Sequence, residues 1–471
     1  MLELEPPVRT EVWGELVKAM ESAIERTDDL LVFTEQDADE VRTFVAQLDF
    51  EVPLRPTEAL RFAVEGLSRY SVNFRSRRYF GLFDPAPATM GVVGEALAAA
   101  FNPQLAAWLA SPFAIESERR VLRAFGARFG FAQNETDGTF TSGGAEANHT
   151  AVLTALTTAF PEVAEGGLRA ARAQPVLYLA EEGHPSLLKA ARATGLGEAA
   201  VRRIPVDEGF RLDVENLRAT IARDRSEGCA PFLVVATAGT TSAGVIDPLS
   251  RIAEIAATEN LWLHVDAAWG GGAALVPELR PLLAGIERAD SITFDPHKLL
   301  SVPMGAGLFL TRHAEVLGAT FHISASYVPR TGELVNPYTH SMQWSRRFIG
   351  LKVLLALAVA GWDGYATVLR HQVAMGDVLR DRLQEADWHI VNQTVLPLVC
   401  FTDTHGADPD AIVDAVNATG RARIFSTALP PGRRVIRAAI TNHQTTVEDI
   451  EELVAALNET RNAVRTETTH R

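Results

Sequence analysis

The sequence predicts an α/β protein built on a mainly parallel sheet with helices on both faces. Three observations predict it. Between about residues 140 and 312, unbroken apolar runs recur at VLYLA (176–180), FLVVATAG (232–239), LWLHVDAA (261–268), SITF (291–294) and GLFL (307–310). Helical patterns separate most of these runs, for instance 213–227 and 249–259. Strands without polar alternation are buried on both faces, which points to a parallel sheet covered by its crossover helices. The third observation is a change of texture after about residue 353, which marks a second, smaller α/β unit.

The elements follow in chain order. Val12, Leu16, Met20 and Ile24 recur at helical spacing. Such a stripe is expected to face a core rather than to form an arm exchanged in a dimer. Pro53 and Pro56 break the next segment, and FDPAPATMG (83–91) is a loop entering a new region. This gives a helical N-terminal segment (1–83) and a large domain (84–352). The small C-terminal domain (353–471) has a long helical stretch, then the short strands IVN and LVCF. It closes on QTTVEDIEELVAAL, where Thr445 and Glu448 fit a capping box.

The bulk properties narrow the function. The 471 residues are 47% hydrophobic and 22% charged, ordinary for a soluble globular protein of two or three domains. A formal net charge of −15 argues against partners that are nucleic acids or anionic membrane surfaces. Cys229 and Cys400 stand far apart and match no metal spacing, so a reduced, cytoplasmic location is expected. The start, MLELEPPVRTEVW, lacks the basic and apolar parts of a signal sequence, and the apolar run LLALAVAGW (354–362) is too short to span a bilayer. No metal-ligand cluster and no Gly-x-Ser-x-Gly elbow are present.

Chemistry concentrates where the strands end, the edge at which open α/β sheets bind ligands. In FTSGGAEAN (140–148), Gly143 and Gly144 lie between a β-prone run and a helix, so backbone N–H groups can approach an anion. In HVDAAWGGG (264–272), Asp266 ends a buried strand and needs a partner. Lys298 in DPHKLL follows the next strand; a lysine buried there becomes a nucleophile when its pKa falls. His184 in EEGHPS follows the strand at 176–180. Each has a plain alternative: a structural glycine turn, a helix-capping aspartate, a snorkelling lysine, a satisfied histidine. Together they form an anion cradle, a carboxylate, an amine and an imidazole on one sheet edge. Pyridoxal phosphate uses that set: the glycine turn for its phosphate, Asp266 for its ring nitrogen and Lys298 for its aldehyde.

TSGGAEAN, HVDAAWGG and DPHKLL, in this order and at these separations, resemble the group II pyridoxal-phosphate-dependent amino-acid decarboxylases. That family includes aromatic-amino-acid, histidine, glutamate and cysteine-sulfinate decarboxylases, and the resemblance runs from about residue 70 to 380. It implies a fold-type I enzyme with a seven-stranded sheet, a carboxy-lyase acting on an L-amino acid. It implies that Lys298 bonds the cofactor's aldehyde and Asp266 pairs with its ring nitrogen. It further implies that Gly143, Gly144 and Ala145 serve the phosphate with His297 nearby, that Thr241, Ala268 and Asp295 contact the cofactor, and that His184 stacks on the ring and places the substrate carboxylate. Tyr327, in the period-free stretch HISASYVPRTGELVNPYTHSMQW (322–344), matches a loop tyrosine that protonates Cα. A homodimer with the active site at the interface is implied as well.

Substrate is less legible. The segment SRRYFGLF (76–83) matches the side-chain pocket of relatives, so Phe80, Leu82 and Phe83 are expected to line it, with Trp269 as an aromatic wall. Such a lining suits an aromatic or apolar side chain. Many relatives carry His-Pro where this chain has Ser76-Arg77; Arg75, Arg77 and Arg78 cluster closely, and one of them would suit an acidic substrate, though a solvated or interface charge is the plainer reading. Leu299 and Asp295 also depart from residues common in the family. Three rivals stand beside decarboxylation to an amine: aldehyde-forming decarboxylation, amino transfer, and a non-catalytic protein that keeps the fold.

Overall fold

The computed structural model describes residues 2–27, 30–323 and 334–469. Tyr327 lies outside the described residues. Seven strands form the large sheet: β1 (Asp137–Thr141), β2 (Pro175–Ala180), β3 (Val201–Ile204), β4 (Ala230–Thr237), β5 (Trp262–Asp266), β6 (Ser291–Phe294) and β7 (Gly307–Thr311). Their order is β1-β7-β6-β5-β4-β2-β3. The pairs β6–β5, β5–β4, β4–β2 and β2–β3 are parallel; β7 runs antiparallel to both neighbours. β2, β5, β6 and β7 are buried at every residue, as their uninterrupted apolar runs require. The helices 214–226 and 249–259 fall within a residue of the predicted ranges.

The second sheet has the order β10-β11-β9-β8 and is antiparallel throughout: β8 (Trp388–Ile390), β9 (Leu398–Asp403), β10 (Phe425–Leu429) and β11 (Arg433–Ala439). Its two faces belong to different cores. Leu398, Cys400, Val435 and Ala439 pack with the large sheet, whereas Val399, Phe401, Ile436 and Ala438 pack under the C-terminal helices. That split follows the two-residue period of a strand. The helix Gly350–Glu385 joins the two cores. It runs 36 residues, with a kink at Gly361 (φ 64°), far beyond the nine-residue apolar run that marked it. Its length and composition would suffice to cross a bilayer, but Val353, Ala356 and Leu369 are buried against the large sheet and Leu379 and Leu383 in the second core. The expected boundary at 353 lies inside its first turn.

Two expectations need correction. The helix Pro6–Glu25 has no buried residue; Met20 is 38% and Ile24 40% exposed, so the stripe is not a core face of this chain. The reason is that it has too little of its own chain to pack on, chiefly the helix Pro56–Arg69. The last helix begins at Val447, and its cap is Thr446 with Asp449, one residue later than Thr445 and Glu448. Thr445 instead donates its hydroxyl to the Arg77 carbonyl.

Candidate active site

Turns that follow β1, β2, β4, β5 and β6 meet at one edge of the large sheet. They bring Gly144, Ala145, His184, Thr241, Asp266, Ala268, Asp295 and Lys298 into the lining of one cavity, with Phe83 and Trp269 closing its side. Gly143 and His297 adjoin this lining; a Cβ on Gly143 would stand 3.3 Å from the His297 ring. A larger cleft lies elsewhere, bounded by Arg211, Asp247 and Arg380, and it does not gather this set of groups.

The glycine turn is shaped by close approach. Gly144 opens the helix Gly144–Ala159, and a Cβ there would meet Asp295 Oδ2 at 2.8 Å. Any side chain would therefore push the helix N-terminus away from the β6 turn. Asp295 is the N-cap of the short helix Pro296–Leu299, which carries Lys298. The lysine Nζ lies 3.1 Å from Asp295 Oδ2, and the carboxylate is almost wholly buried. Asp295 is thus the partner that a half-sheltered lysine needs. His297 turns its Nδ1 to the Ala306 carbonyl at 2.6 Å, and burial holds its pKa below the ordinary value.

Asp266 ends β5 and is 5% exposed. It accepts from Asn148 Nδ2 at 2.8 Å and from its own turn at Ala268 N, 3.1 Å. His184 is open to solvent on one side, while its Nδ1 lies 2.8 Å from Ser186 Oγ. Burial, with Lys298 adding to it, lowers its pKa against the pull of Asp266. Thr241 is held from below: Arg437 Nε donates to its carbonyl at 2.8 Å, and Cys400 Sγ sits 3.1 Å from the Ser242 carbonyl.

The pocket-lining expectations divide. Phe83 stacks on Trp269 with centroids 4.2 Å apart and lines the cavity. Phe80 does not: it is fully buried in the second core, among Val399, Phe401 and Ile436. Leu82 is 43% exposed and is not part of the lining. The chain bends through Gly81–Phe83, so successive side chains diverge, which the run of apolar letters conceals. The arginine cluster is likewise outside the lining; Arg77 reaches Asp449 at 3.6 Å. Sequence reasoning missed Asn148, Thr237 and Gly239 in the lining, and Arg437 behind it. Asn148 lies in the same TSGGAEAN stretch as the glycines. Arg437 is 2% exposed, lies 4.8 Å over the Phe83 ring and has no hydrogen-bond partner for Nη2 among the described residues.

Residues 56–403 match the family model described as the pyridoxal-dependent decarboxylase conserved domain. The chain belongs to the pyridoxal-dependent decarboxylases. It is similar to an aromatic-L-amino-acid decarboxylase of Bacillus atrophaeus, 31% identical over 434 residues covering 89% of this chain and 88% of the relative. It is also similar to an L-2,4-diaminobutyrate decarboxylase of Rhizobium meliloti (strain 1021), 32% identical over 391 residues covering 80% and 77%. Its fold matches a crystal structure of mouse CSAD at a TM-score of 0.91 and 25% identity, over 97% of this chain and 99% of that one. The architecture is that of fold-type I enzymes, and the decarboxylase is a pyridoxal-phosphate-dependent carboxy-lyase acting on an amino acid.

The residues present fit that cofactor. An anion finds a helix N-terminus with glycine at the closest approach. Asp266 and Lys298 line the same cavity, where the one would suit a ring N–H and the other an aldehyde. Two buried oxygens in this lining, Asp295 Oδ1 and Thr237 Oγ1, have no protein partner among the described residues. Buried polar atoms left so are costly unless something else binds them.

Proposed function

We propose that this decarboxylase converts an L-amino acid with an aromatic or apolar side chain into the amine and carbon dioxide. The observation that carries the substrate class is the Phe83–Trp269 stack, which gives the cavity an aromatic side. Gly143, Gly144 and Ala145 would hold the phosphate, with His297 behind them. Thr241, Ala268 and Asp295 would bound the cofactor, Asp266 would take its ring nitrogen and Lys298 its aldehyde. Bound there, pyridoxal phosphate supplies an electron sink for the pair released as the carboxylate leaves. The chain's own residues choose which bond breaks. His184 would orient the substrate carboxylate, and the group so held is the one that departs. Tyr327 would then deliver a proton to Cα. A tyrosine in this role favours the amine over an aldehyde.

A second reading is an acidic substrate, and Arg437 favours it. Its unshared Nη2 lies behind Phe83, outside the cavity lining, so a second carboxylate would reach it only with Phe83 turned aside. A panel of L-amino acids, including aspartate, cysteine sulfinate and 2,4-diaminobutyrate, scored for carbon dioxide and for amine, tests both. Turnover confined to aspartate and cysteine sulfinate would overturn the aromatic assignment. Keto acid, or aldehyde with peroxide, would overturn the reaction type.

We also propose a cytoplasmic homodimer. The two cysteines are unpaired, which suits a reducing compartment. Trp13 and Val17 on the first helix are 56% and 57% exposed, and Phe101 and Phe113 beside an apolar groove are 80% and 71% exposed. Apolar surface of that extent is covered in a stable protein, and a second copy is the partner the family pattern implies. Light scattering that gave a monomer mass at micromolar concentration would overturn this.

A further inference from the structure

Behind Asp266 lies a chain of hydrogen bonds between buried side chains on β5, β6 and the helix Gly144–Ala159. Trp262 Nε1 is 2.8 Å from Ser291 Oγ, which is 2.8 Å from His264 Nδ1. His264 Nε2 lies 3.1 Å from Asn148 Oδ1, and Thr293 Oγ1 reaches the same oxygen at 2.8 Å. Asn148 Nδ2 lies 2.8 Å from Asp266 Oδ2 and 2.9 Å from Ser186 Oγ. Ser186 Oγ in turn is 2.8 Å from His184 Nδ1. Asn148, His264, Ser291 and Thr293 are at most 1% exposed.

The chemistry of the two ends fixes the direction of every bond between them. An indole N–H can only donate, and a carboxylate can only accept. Asn148 must therefore turn its NH₂ to Asp266, because the flipped amide would set oxygen against oxygen. Its Oδ1 then accepts from the Thr293 hydroxyl, which leaves His264 Nε2 facing two acceptors, that amide oxygen and Thr293 Oγ1 at 3.2 Å, so His264 carries its proton on Nε2. His264 Nδ1 is left to accept from Ser291, whose oxygen takes the indole proton. On the other branch, Ser186 Oγ accepts the second amide hydrogen and turns its own proton to His184 Nδ1. The Ser186 backbone N–H points at the same nitrogen, 3.2 Å away. With two donors facing Nδ1, the His184 proton sits on Nε2.

We infer that Asn148 is a positioning residue that orients both functional groups from one amide: its two N–H bonds aim the Asp266 carboxylate and, through Ser186, hold His184 as the Nε2–H tautomer. His184 thereby works as a hydrogen-bond donor and not as a base. The consequence for catalysis rests on the decarboxylase reading above, but the proton positions do not.

Neutron diffraction from the perdeuterated holoenzyme tests the proton positions directly. Deuterium is expected on Nε2 of both His184 and His264, with both amide deuterons of Asn148 directed to Asp266 and Ser186. Deuterium on Nδ1 of either histidine overturns the inference, whatever the enzyme's substrate. The second test is Asn148→Asp, which keeps the shape and puts oxygens in place of both N–H donors, with at most one proton shared with Asp266. Affinity for pyridoxal phosphate, read by titrating the visible absorbance of the bound cofactor, is expected to fall by about 10- to 100-fold. His184 is expected to gain a proton on Nδ1 and titrate at higher pH in histidine ¹⁵N spectra. Thr293→Val, which leaves both amide donors in place, is expected to keep the His184 tautomer. A folded Asn148→Asp protein with unchanged cofactor affinity and an unchanged His184 spectrum would refute the role. If Asn148→Asp does not fold, the neutron map still decides.

Discussion

The two halves of the cavity are built on opposite plans. Behind Asp266, the side chains of Asn148, His264, Ser291 and Thr293 are buried and matched, donor to acceptor. In the lining itself, groups just as deeply buried are left with unshared valences, at Asp295 Oδ1 beside Lys298 and at Thr237 Oγ1 on the strand next to Asp266. A matched network is rigid, because moving any member breaks a bond in a place with no water to replace it. An unmatched group costs stability unless a ligand supplies the missing partner. The difference teaches which side of the site is scaffold and which side is meant to be completed.

The largest effect that would test this contrast is at the lysine. Lys298→Ala is expected to abolish turnover and the visible absorbance of the cofactor-loaded protein. Retention of either would remove Lys298 from its place at the centre of the unmatched half.

Next comes a difference in pH response. Burial pushes the His264 pKa down to about 4 in the matched half, and raises that of Asp247, which accepts from Thr237 N and Leu212 N, to about 6. Between the ordinary histidine value and pH 4, the unfolded chain binds a proton that folded His264 refuses, so stability falls as pH falls, by about 3 kcal/mol in all. Asp247 works the other way: from pH 6 down to the ordinary aspartate value, the folded state takes up its proton first, and stability rises by about as much. The two nearly cancel in the wild type. Asp247→Asn is expected to uncover the histidine, giving urea-unfolding free energies that drop steeply from pH 6.5 to 4. Parallel curves for variant and wild type would contradict it.

The smallest pair of effects sharpens the comparison most. Thr293→Val takes a donor from the matched half and is expected to cost about 1–3 kcal/mol of stability in the cofactor-free protein. Thr237→Val removes a hydroxyl that has no protein partner and is expected to change cofactor-free stability by less than about 0.5 kcal/mol. Cofactor affinity should reverse the order, with Thr237→Val the weaker binder. Equal costs at both threonines would erase the distinction.

Much of this was legible in the sequence, unevenly. β2 and β4–β7 announce themselves as apolar runs because both their faces are buried. β1 (DGTFT) and β3 (VRRI) lie at the sheet's two edges and carry polar residues, so they lack that signature. The glycines, Asp266 and Lys298 stood out because each is an unusual residue at a strand end. Asn148, His264 and Thr293 did not, since their importance lies in what they touch across β5, β6 and a helix. Phe80 and Leu82 were misplaced because a run of apolar letters does not say which of them faces the ligand. Arg437 comes from the other sheet, more than a hundred residues after Lys298, and only packing brings it under Phe83.

The division of the second sheet between two cores bears on how the molecule comes apart. Leu398, Val435 and Ala439 are sealed by the large sheet, and the helix Gly350–Glu385 is anchored at both ends. Severing the chain near residue 353 would therefore wet one whole side of the smaller piece and unseat Thr241 through the loss of Arg437. The two lobes are therefore expected to melt together, and a thermal scan with two separate transitions would contradict it.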